Sequence, residues 1–476
     1  MPLRAFLPDL LVADGRVQAG AALVVSESGA VAAVGPPPPG AELHRLPGAA
    51  ILPAFASAHG HSFQRALRGR TEWRTNGSGV RSTFWTWREA MYAVAARLSP
   101  DDLHAVARLA FHELARAGVA VAGEFHYVQH DPAGRPYADP DALAVAVVEA
   151  AREVGIRIVL LRAAYARAGA GGAAEPAQRR FVEGDPAAAI AALERLTGRF
   201  RGAAGVSFGL APHSVRACPA EWIRDLAGEA ARREVPLHLH VSEQPREVQE
   251  CMAEHGVPPV LLLARLGALG PRTTAVHAIH LSDAELRALA GVHVCACPTT
   301  ERNLGDGVVP ADRLLAAGAR LSLGVDSHAQ GDLLEEAREL ELHLRLVTGE
   351  RAVLQSPAEQ VPPGRASGGA RVDALAWTLL TAASAGGYAS LGLRGGRLAP
   401  GEPADFVAVD LDHPAVAGAA AEDLVPTIVF GASSGAITSL WVGGAPVVQA
   451  GRAAPGRAPE VEILRDYRAA LARLRA

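Results

Sequence analysis

The segment "ILPAFASAHGHSFQRA", residues 51–66, is mostly apolar and then places two histidines one residue apart. Side chains alternate between the two faces of a strand, so His59 and His61 would share a face where the apolar run stops. Two imidazoles on one face can bind a divalent metal. They can equally be ordinary polar loop residues, and the rest of the chain has to decide between these interpretations.

Seven further apolar or β-branched runs follow the first one, which spans 49–61. Stretches rich in Ala, Leu, Arg and Glu separate them, and such an alternation of strand and helix predicts parallel pairing through right-handed crossovers. Eight such units predict an α/β fold of the (β/α)8 TIM-barrel type rather than an open doubly wound sheet, and no GxGxxG follows the first run. The seven runs are 118–127, 156–165, 205–214, 235–244, 273–280, 291–300 and 319–328.

The two ends of the chain have a different character. Residues 1–48 and 391–476 contain short strand-like runs separated by turns, which predicts one small β-sandwich domain formed from both chain ends and followed by a terminal helix. The barrel would then occupy residues 49–390. Within it, the segment 354–373 is rich in Pro, Gly and Ser and is expected to be a loop.

Composition excludes several kinds of chemistry. The chain has 476 residues, a formal net charge of −4 and 46 basic residues, all of them arginine. Without lysine there is no Schiff-base catalysis, no P-loop and no carbamylated-lysine bridge between two metals. The four cysteines form no CxxC pair, and no run of roughly 18 apolar residues is present. We therefore expect a soluble, cytoplasmic protein that binds neither nucleic acid nor membrane.

Polar side chains cluster at the carboxyl ends of the predicted strands, which is where barrels of this type build their active sites. A mononuclear site needs three or four N/O ligands and an open position. His59, His61, His240 and Asp326 supply them from strands one, five and eight. With no cysteine in the set, zinc is the first expectation, and iron or manganese also fit.

Two further residues are candidates for proton transfer, with Asp326 as a third. Glu243 follows His240 by three residues, close enough to reach both a water and a leaving nitrogen, and His277 ends strand six. The simpler alternatives are a surface carboxylate for Glu243 and a satisfied buried histidine for His277.

The motifs together resemble the amidohydrolase superfamily. They are "HGH" (59–61), "HLHVSE" (238–243), "VHAIH" (276–280) and "GVDSH" (324–328). The longer stretch "GEFHYVQHDPAGRPYADP" (123–140) is similar to the formimidoylglutamate deiminase family of bacterial histidine degradation.

That resemblance implies hydrolysis of N-formimino-L-glutamate to N-formyl-L-glutamate and ammonia, with one zinc per chain in a homodimer. It also implies substrate contacts, and the two arginines among them suit a substrate with two carboxylates. Two alternatives stay open: a deaminase acting on a purine, pyrimidine or triazine, and a barrel without catalytic activity. The implied contacts are Gln64, Arg88, Tyr127, His213 and Arg216.

Overall fold

Two β-sheets organise the computed structural model, which describes residues 3–73, 82–169, 171–355 and 374–475. Most of the loop predicted at 354–373 lies outside these ranges. The strands are β1 (Arg4–Ala13), β2 (Arg16–Ala19), β3 (Ala22–Val25), β4 (Val31–Gly35), β5 (Glu42–Pro53), β6 (Phe55–Ser57), β7 (Val119–His126), β8 (Arg157–Ala164), β9 (Val206–Pro212), β10 (Leu237–Val241), β11 (Thr273–His277), β12 (His293–Ala296), β13 (Arg320–Leu323), β14 (Phe406–Asp410), β15 (Ile437–Val442), β16 (Ala445–Gln449) and β17 (Arg452–Ala453).

Helices follow the strands of the sheet that runs from β6 to β13, as the crossover rule requires. Among the helices within the described ranges, none is both long enough and apolar enough to cross a bilayer. They are α1 (Phe84–Ala95), α2 (Pro100–Arg116), α3 (Ala142–Val154), α4 (Ala187–Arg199), α5 (Ala220–Arg233), α6 (Pro245–His255), α7 (Pro259–Arg265), α8 (Asp283–Ala288), α9 (Pro298–Leu304), α10 (Ala311–Ala316), α11 (Leu333–Thr348), α12 (Ala374–Thr381), α13 (Gly387–Ser390), α14 (Leu424–Gly431) and α15 (Glu460–Arg475).

One of the two sheets is the predicted barrel. Its strands run in sequence order from β6 to β13, and each pairs in parallel with its neighbour. The first and last strands meet where Ala58 N–H donates to the Leu323 carbonyl (2.8 Å) and Val325 N–H donates to the His59 carbonyl (3.0 Å). The closing contact is tight, since a Cβ on Gly324 would lie 2.7 Å from the His59 oxygen. The TIM-barrel prediction is confirmed.

The first predicted strand, 49–61, is divided between the two sheets. Residues up to Pro53 belong to β5, whose segment from Ala49 pairs with β14, and the barrel strand β6 begins only at Phe55. Between them, Ala54 N–H donates to the Asp405 carbonyl (3.1 Å), outside the barrel ladder. The expected boundary after residue 48 therefore falls inside β5, a single strand that passes from one sheet towards the other.

The other sheet, called here the terminal sheet, joins both ends of the chain. Its order is β17-β16-β15-β14-β5-β1-β3-β4, with β2 paired to β1. Phe6 on β1 and Trp441 on β15 are three strands apart, about 14 Å in a flat sheet. Their ring centroids nevertheless lie 5.6 Å apart, with Phe406 packed against both. The predicted sandwich is thus realised as one continuous sheet that curls over its own core.

A buried carboxylate joins the terminal sheet to the barrel. Asp405, which precedes β14, accepts two hydrogen bonds from Arg157 at the start of β8 (2.8 and 3.0 Å). It also accepts from the Tyr388 hydroxyl (2.8 Å) and the Gly443 N–H (2.6 Å). A buried charge satisfied by this many donors fixes the relative position of the two sheets.

Candidate metal centre and active site

Four side chains converge at the carboxyl ends of the barrel strands. The Nε2 atoms of His59 and His61 each lie 3.3 Å from Asp326 Oδ1, and His240 Nε2 lies 3.2 Å from His59 Nε2. One potential ligand atom from each of the four lies within 4.8 Å of all the others, and all four residues are buried. The structure thus brings together the four ligands that the sequence predicted, and we refer to them as the donor group.

Hydrogen bonds behind the rings determine which nitrogen faces the centre. His61 Nδ1 lies 2.8 Å from the Phe125 carbonyl oxygen, and His240 Nδ1 lies 3.0 Å from that of His213. A carbonyl can only accept, so each Nδ1 carries the proton and each Nε2 turns a lone pair inward. Burial lowers the pKa of His61 to about 3, which favours the neutral ring. Inward lone pairs beside a carboxylate suit a divalent cation with N/O preference, so the donor set fits a metal such as zinc.

Next to the donor group, Glu243 and His277 face each other. His277 Nε2 lies 3.6 Å from Glu243 Oε1 and 3.8 Å from Asp326 Oδ2, while its Nδ1 lies 3.1 Å from Glu301 Oε1. Burial opposes a charge on this ring, but Glu243 and the other two carboxylates raise the pKa of His277 to about 10. The ring can therefore donate a proton or a hydrogen bond towards the centre.

Glu243 is held in place from two directions. Arg216 Nη2 donates to Glu243 Oε2 at 2.7 Å. Glu247, the third residue of α6, reaches back so that its carboxylate accepts from the backbone N–H groups of Ser242 (3.0 Å) and Glu243 (3.3 Å). It also lies 3.4 Å from Arg216 Nε. Glu247 thus links the backbone of the predicted acid–base residue to a predicted substrate arginine.

All five predicted substrate contacts line one cavity together with members of the donor group and Glu243. Gln64 donates to the Tyr127 hydroxyl (2.8 Å), and the His213 ring packs on that of His240 with centroids 4.8 Å apart. The part of the cavity at the donor group and Glu243 is called here the reactive end, and the part lined by the predicted substrate contacts is called the binding end. The five residues are Gln64, Arg88, Tyr127, His213 and Arg216.

The two cavity arginines differ in what they bind. Arg216 is already paired with Glu243 and Glu247. Arg88 has no hydrogen bond or ion pair to any described residue, its buried Nε is unsatisfied, and its guanidinium lies 4.7 Å from the ring centre of Trp85. Arg88 is thus the cation with free capacity for an incoming anion.

Several polar residues close to the strand ends turn away from the site and support the scaffold. His238 Nε2 lies 2.9 Å from the Ser390 carbonyl oxygen, and His280 Nε2 lies 3.0 Å from that of Asp306. Glu124 accepts from the Ser62 N–H and hydroxyl, which anchors the turn after the first histidine pair.

Backbone strain concentrates at the same strand ends. Left-handed φ values are uncommon for residues other than glycine and often mark functional positions. They occur at Ser242 (52°), His277 (70°), Ala278 (53°), Asp326 (42°) and His328 (54°). Of these residues Asp326 lines the cavity, and the Glu247 carboxylate holds the backbone at Ser242 by accepting from its N–H (3.0 Å).

Sequence reasoning missed several residues around the cavity. Glu301 and Glu247 act from the first turns of α9 and α6, and a glutamate near a helix start that follows a motif strand was the available signal. Tyr92, Tyr165 and Gln178 come from segments between motifs, and no spacing pointed to them.

Comparisons with known proteins agree with this architecture. A model of the amidohydrolase family matches residues 50–447. Formimidoylglutamate deiminase of Pseudomonas aeruginosa is 37% identical over 452 residues, 94% of each chain. The 8-oxoguanine deaminase of the same organism is 33% identical over 372 residues, 76% of this chain and 75% of its own. The crystal structure of an amidohydrolase from Brucella melitensis superposes with a TM-score of 0.87 at 29% identity, covering 99% of this chain and 100% of that one.

Proposed function

Because the chain belongs to the amidohydrolase family and is a hydrolase acting on C–N bonds, we propose that it hydrolyses N-formimino-L-glutamate to N-formyl-L-glutamate and ammonia. One observation carries the proposal. A single cavity is lined by three members of the four-residue donor group, a carboxylate beside them and two arginines, one of which has no hydrogen-bond or ion-pair partner among the described residues. The relative 37% identical to this chain is named for that reaction.

The residues of the centre divide the chemistry between them. His59, His61, His240 and Asp326 would hold one divalent cation, with zinc the first expectation. When bound, such a cation supplies Lewis acidity and makes a hydroxide nucleophile available near neutral pH.

Glu243 would move the protons. Water adds its oxygen to the formimino carbon, and Glu243 would carry both of the water protons in turn to the departing nitrogen. The C–N bond to that nitrogen then breaks, ammonia leaves and the carbon is left as a formyl group. His277, hydrogen-bonded through Nδ1 to Glu301, would donate from Nε2 to the oxygen that develops charge.

The binding end of the cavity favours a substrate with carboxylates. Arg88 and Arg216 offer planar, charge-assisted pairing that a carboxylate fills. Gln64, Tyr127 and His213 add neutral polar groups. A purine-type ring, the second candidate suggested by the 8-oxoguanine deaminase relative, would use amide contacts and aromatic stacking. The cavity also contains the Gln64 amide and aromatic rings, so the preference for carboxylates rests on its two arginines.

Ammonia release tests the proposal directly. The metal-loaded protein is assayed with N-formimino-L-glutamate, guanine, 8-oxoguanine and cytosine at equal concentration. We expect turnover of the first alone, loss of activity on chelation and recovery on adding zinc, with iron and manganese tested in parallel. Elemental analysis should give one metal per chain. Turnover of a ring substrate without formiminoglutamate turnover would refute the proposal.

The biological setting is also part of the proposal. An enzyme of this specificity would act in histidine degradation in the cytoplasm, on a small diffusible substrate and without nucleic acid or membrane partners. We further propose a homodimer, which light scattering coupled to size exclusion would test.

A further inference from the structure

Two tyrosines and a glutamine form a hydrogen-bonded cluster at the binding end of the cavity. Tyr92 and Tyr165, here called the phenol pair, both line the cavity. Gln178 lies behind them with its side chain fully buried (0% exposed). Its Nε2 donates to the Tyr92 hydroxyl at 3.0 Å and to the Tyr165 hydroxyl at 2.9 Å.

The orientation of the Gln178 amide is determined by its other end. The Glu175 N–H donates to Gln178 Oε1 at 2.9 Å. Since a backbone N–H cannot accept, the oxygen must face Glu175 and the NH2 group must face the phenol pair. Both amide hydrogens are therefore used on the two hydroxyl oxygens.

Counting the remaining protons leaves one donor free. Each phenol oxygen accepts from Gln178, so each O–H must donate elsewhere. The two oxygens lie 3.5 Å apart, close enough for one to donate to the other, and within the described chain no further acceptor contacts either hydroxyl. Burial raises the pKa of Tyr165 well above its usual value, so this phenol keeps its proton. At least one O–H is left without an acceptor beside the cavity.

Arg88 packs against the ring of Tyr92 and lines the same cavity as the phenol pair. The centre of its guanidinium is 5.4 Å from the ring centre of Tyr92. As described above, it has no anionic partner in the ranges that the structure covers. An unpaired guanidinium and a phenolic O–H that line one cavity can both donate to a carboxylate.

The phenol pair is one ring layer away from the reactive end. The Tyr165 and His213 ring centroids are 4.7 Å apart, and the His213 ring in turn packs on His240 of the donor group. Arg216, by contrast, contacts Glu243 directly. A dicarboxylate would thus place its nearer carboxylate at Arg216 and its farther one at Arg88.

We propose that the phenol pair, oriented by Gln178, binds together with Arg88 the substrate carboxylate farther from the reacting amidine carbon. This inference rests on the proposed function, since it assigns one of the two carboxylates of that substrate. It makes the phenol pair substrate-binding and Gln178 a positioning residue. The chain would thereby select against amidines that carry an apolar group at this end.

Two substrates and two variants test the assignment. N-formimino-L-glutamate is compared with N-formimino-L-2-aminobutyrate, which lacks only the farther carboxylate. The variants are the double substitution Tyr92→Phe/Tyr165→Phe and Gln178→Glu, whose carboxylate would accept the phenolic protons and turn them away from the cavity. We expect kcat/KM for the glutamate substrate to fall about tenfold to a hundredfold, and that for the aminobutyrate analogue to change less than about threefold.

Tyr137→Phe is the matched control, because it removes a phenol that binds Arg180 (3.3 Å) outside the cavity, and both substrates should be unaffected. The result is read from whichever of the two variants keeps its fold and metal. The inference would be overturned if kcat/KM in that variant fell equally for both substrates, or fell for neither. If the unmodified protein releases no ammonia from N-formimino-L-glutamate, the proposed function itself fails, and the two failures are thereby distinguished.

Discussion

Replacing Glu247 by Gln should disturb catalysis without touching any predicted metal ligand. Glu247 is fully buried (0% exposed), and its two oxygens accept from Ser242 N and Glu243 N and lie beside Arg216 Nε. A glutamine has one oxygen for these donors, and its NH2 group would face one of them. Leaving a buried N–H unsatisfied costs about 1–3 kcal/mol, and losing a hydrogen bond to a charged group costs about 1.5–3 kcal/mol. We expect the free energy of unfolding to fall by roughly 2.5–6 kcal/mol.

The kinetic effect follows from the same contacts. Ser242 has a left-handed φ of 52° that Glu247 helps to hold, so relaxation there would move Glu243. A displacement of about 1 Å can cost about 10²-fold in rate, and we expect a loss of that order in kcat with one metal per chain retained. Ammonia release, thermal unfolding and elemental analysis provide the three measurements.

Glu250→Gln is the matched control for Glu247→Gln. It lies one turn further along α6, and its carboxylate accepts from Arg246 near the surface (2.6 Å). Partly exposed pairs of this kind contribute about 0–1 kcal/mol, so stability and kcat should stay close to wild type. If Glu247→Gln retained kcat within about twofold, the positioning of Glu243 through α6 would be refuted.

Three further results are expected. Glu243→Ala should lower kcat by at least about 10²-fold and leave metal content unchanged, and a near-normal rate would remove Glu243 from proton transfer. Arg88→Ala should mainly raise KM, and an unchanged KM in this variant would contradict the assignment. Arg216→Ala should change both KM and kcat, because Arg216 Nη2 also binds Glu243 at 2.7 Å. Burial, assisted by Arg320, lowers the pKa of His293 to about 4. Folding therefore favours the neutral ring, and stability should be full above about pH 6.5 and fall towards pH 4, by up to about 3 kcal/mol for this residue. His293→Phe should flatten melting temperature against pH over that range, and an unchanged slope would count against the argument.

Much of the barrel was predictable because its signal is local. Parallel strands buried on both faces read as apolar runs, and chemically active residues collect where those runs end. His59, His61, His240 and Asp326 could be grouped before any coordinates were known, and the structure places their ligand atoms within 4.8 Å of one another. Their roles as ligands stay predictions until a metal is measured.

Other features depend on partners that a run of residues does not reveal. The run 49–61 looks like one strand, yet it changes sheets at Pro53 because β14, far along the chain, pairs with its first half. Strand alternation puts His238 and His240 on one face, yet His240 Nε2 lies 3.2 Å from His59 Nε2 whereas His238 Nε2 lies 2.9 Å from the Ser390 carbonyl oxygen. Gln178 could not have been found, since its importance comes from two hydroxyls that reach it from distant segments. The prediction for 354–373 falls largely outside the described residues.

The order in which the chain is synthesised determines when each strand of the terminal sheet can pair. On the ribosome, β5 emerges early, but the strand that pairs along its other edge begins only at Phe406, about 350 residues later. At about 5–20 residues per second this is a delay of roughly 20–70 s, during which a nascent polypeptide carries an open edge able to pair with a neighbouring polypeptide. Asp326 is the last of the four predicted ligands along the chain, and it is translated well before that edge is covered. A ribosome stalled between these two points would display every predicted metal ligand on an unfinished product with an open strand edge.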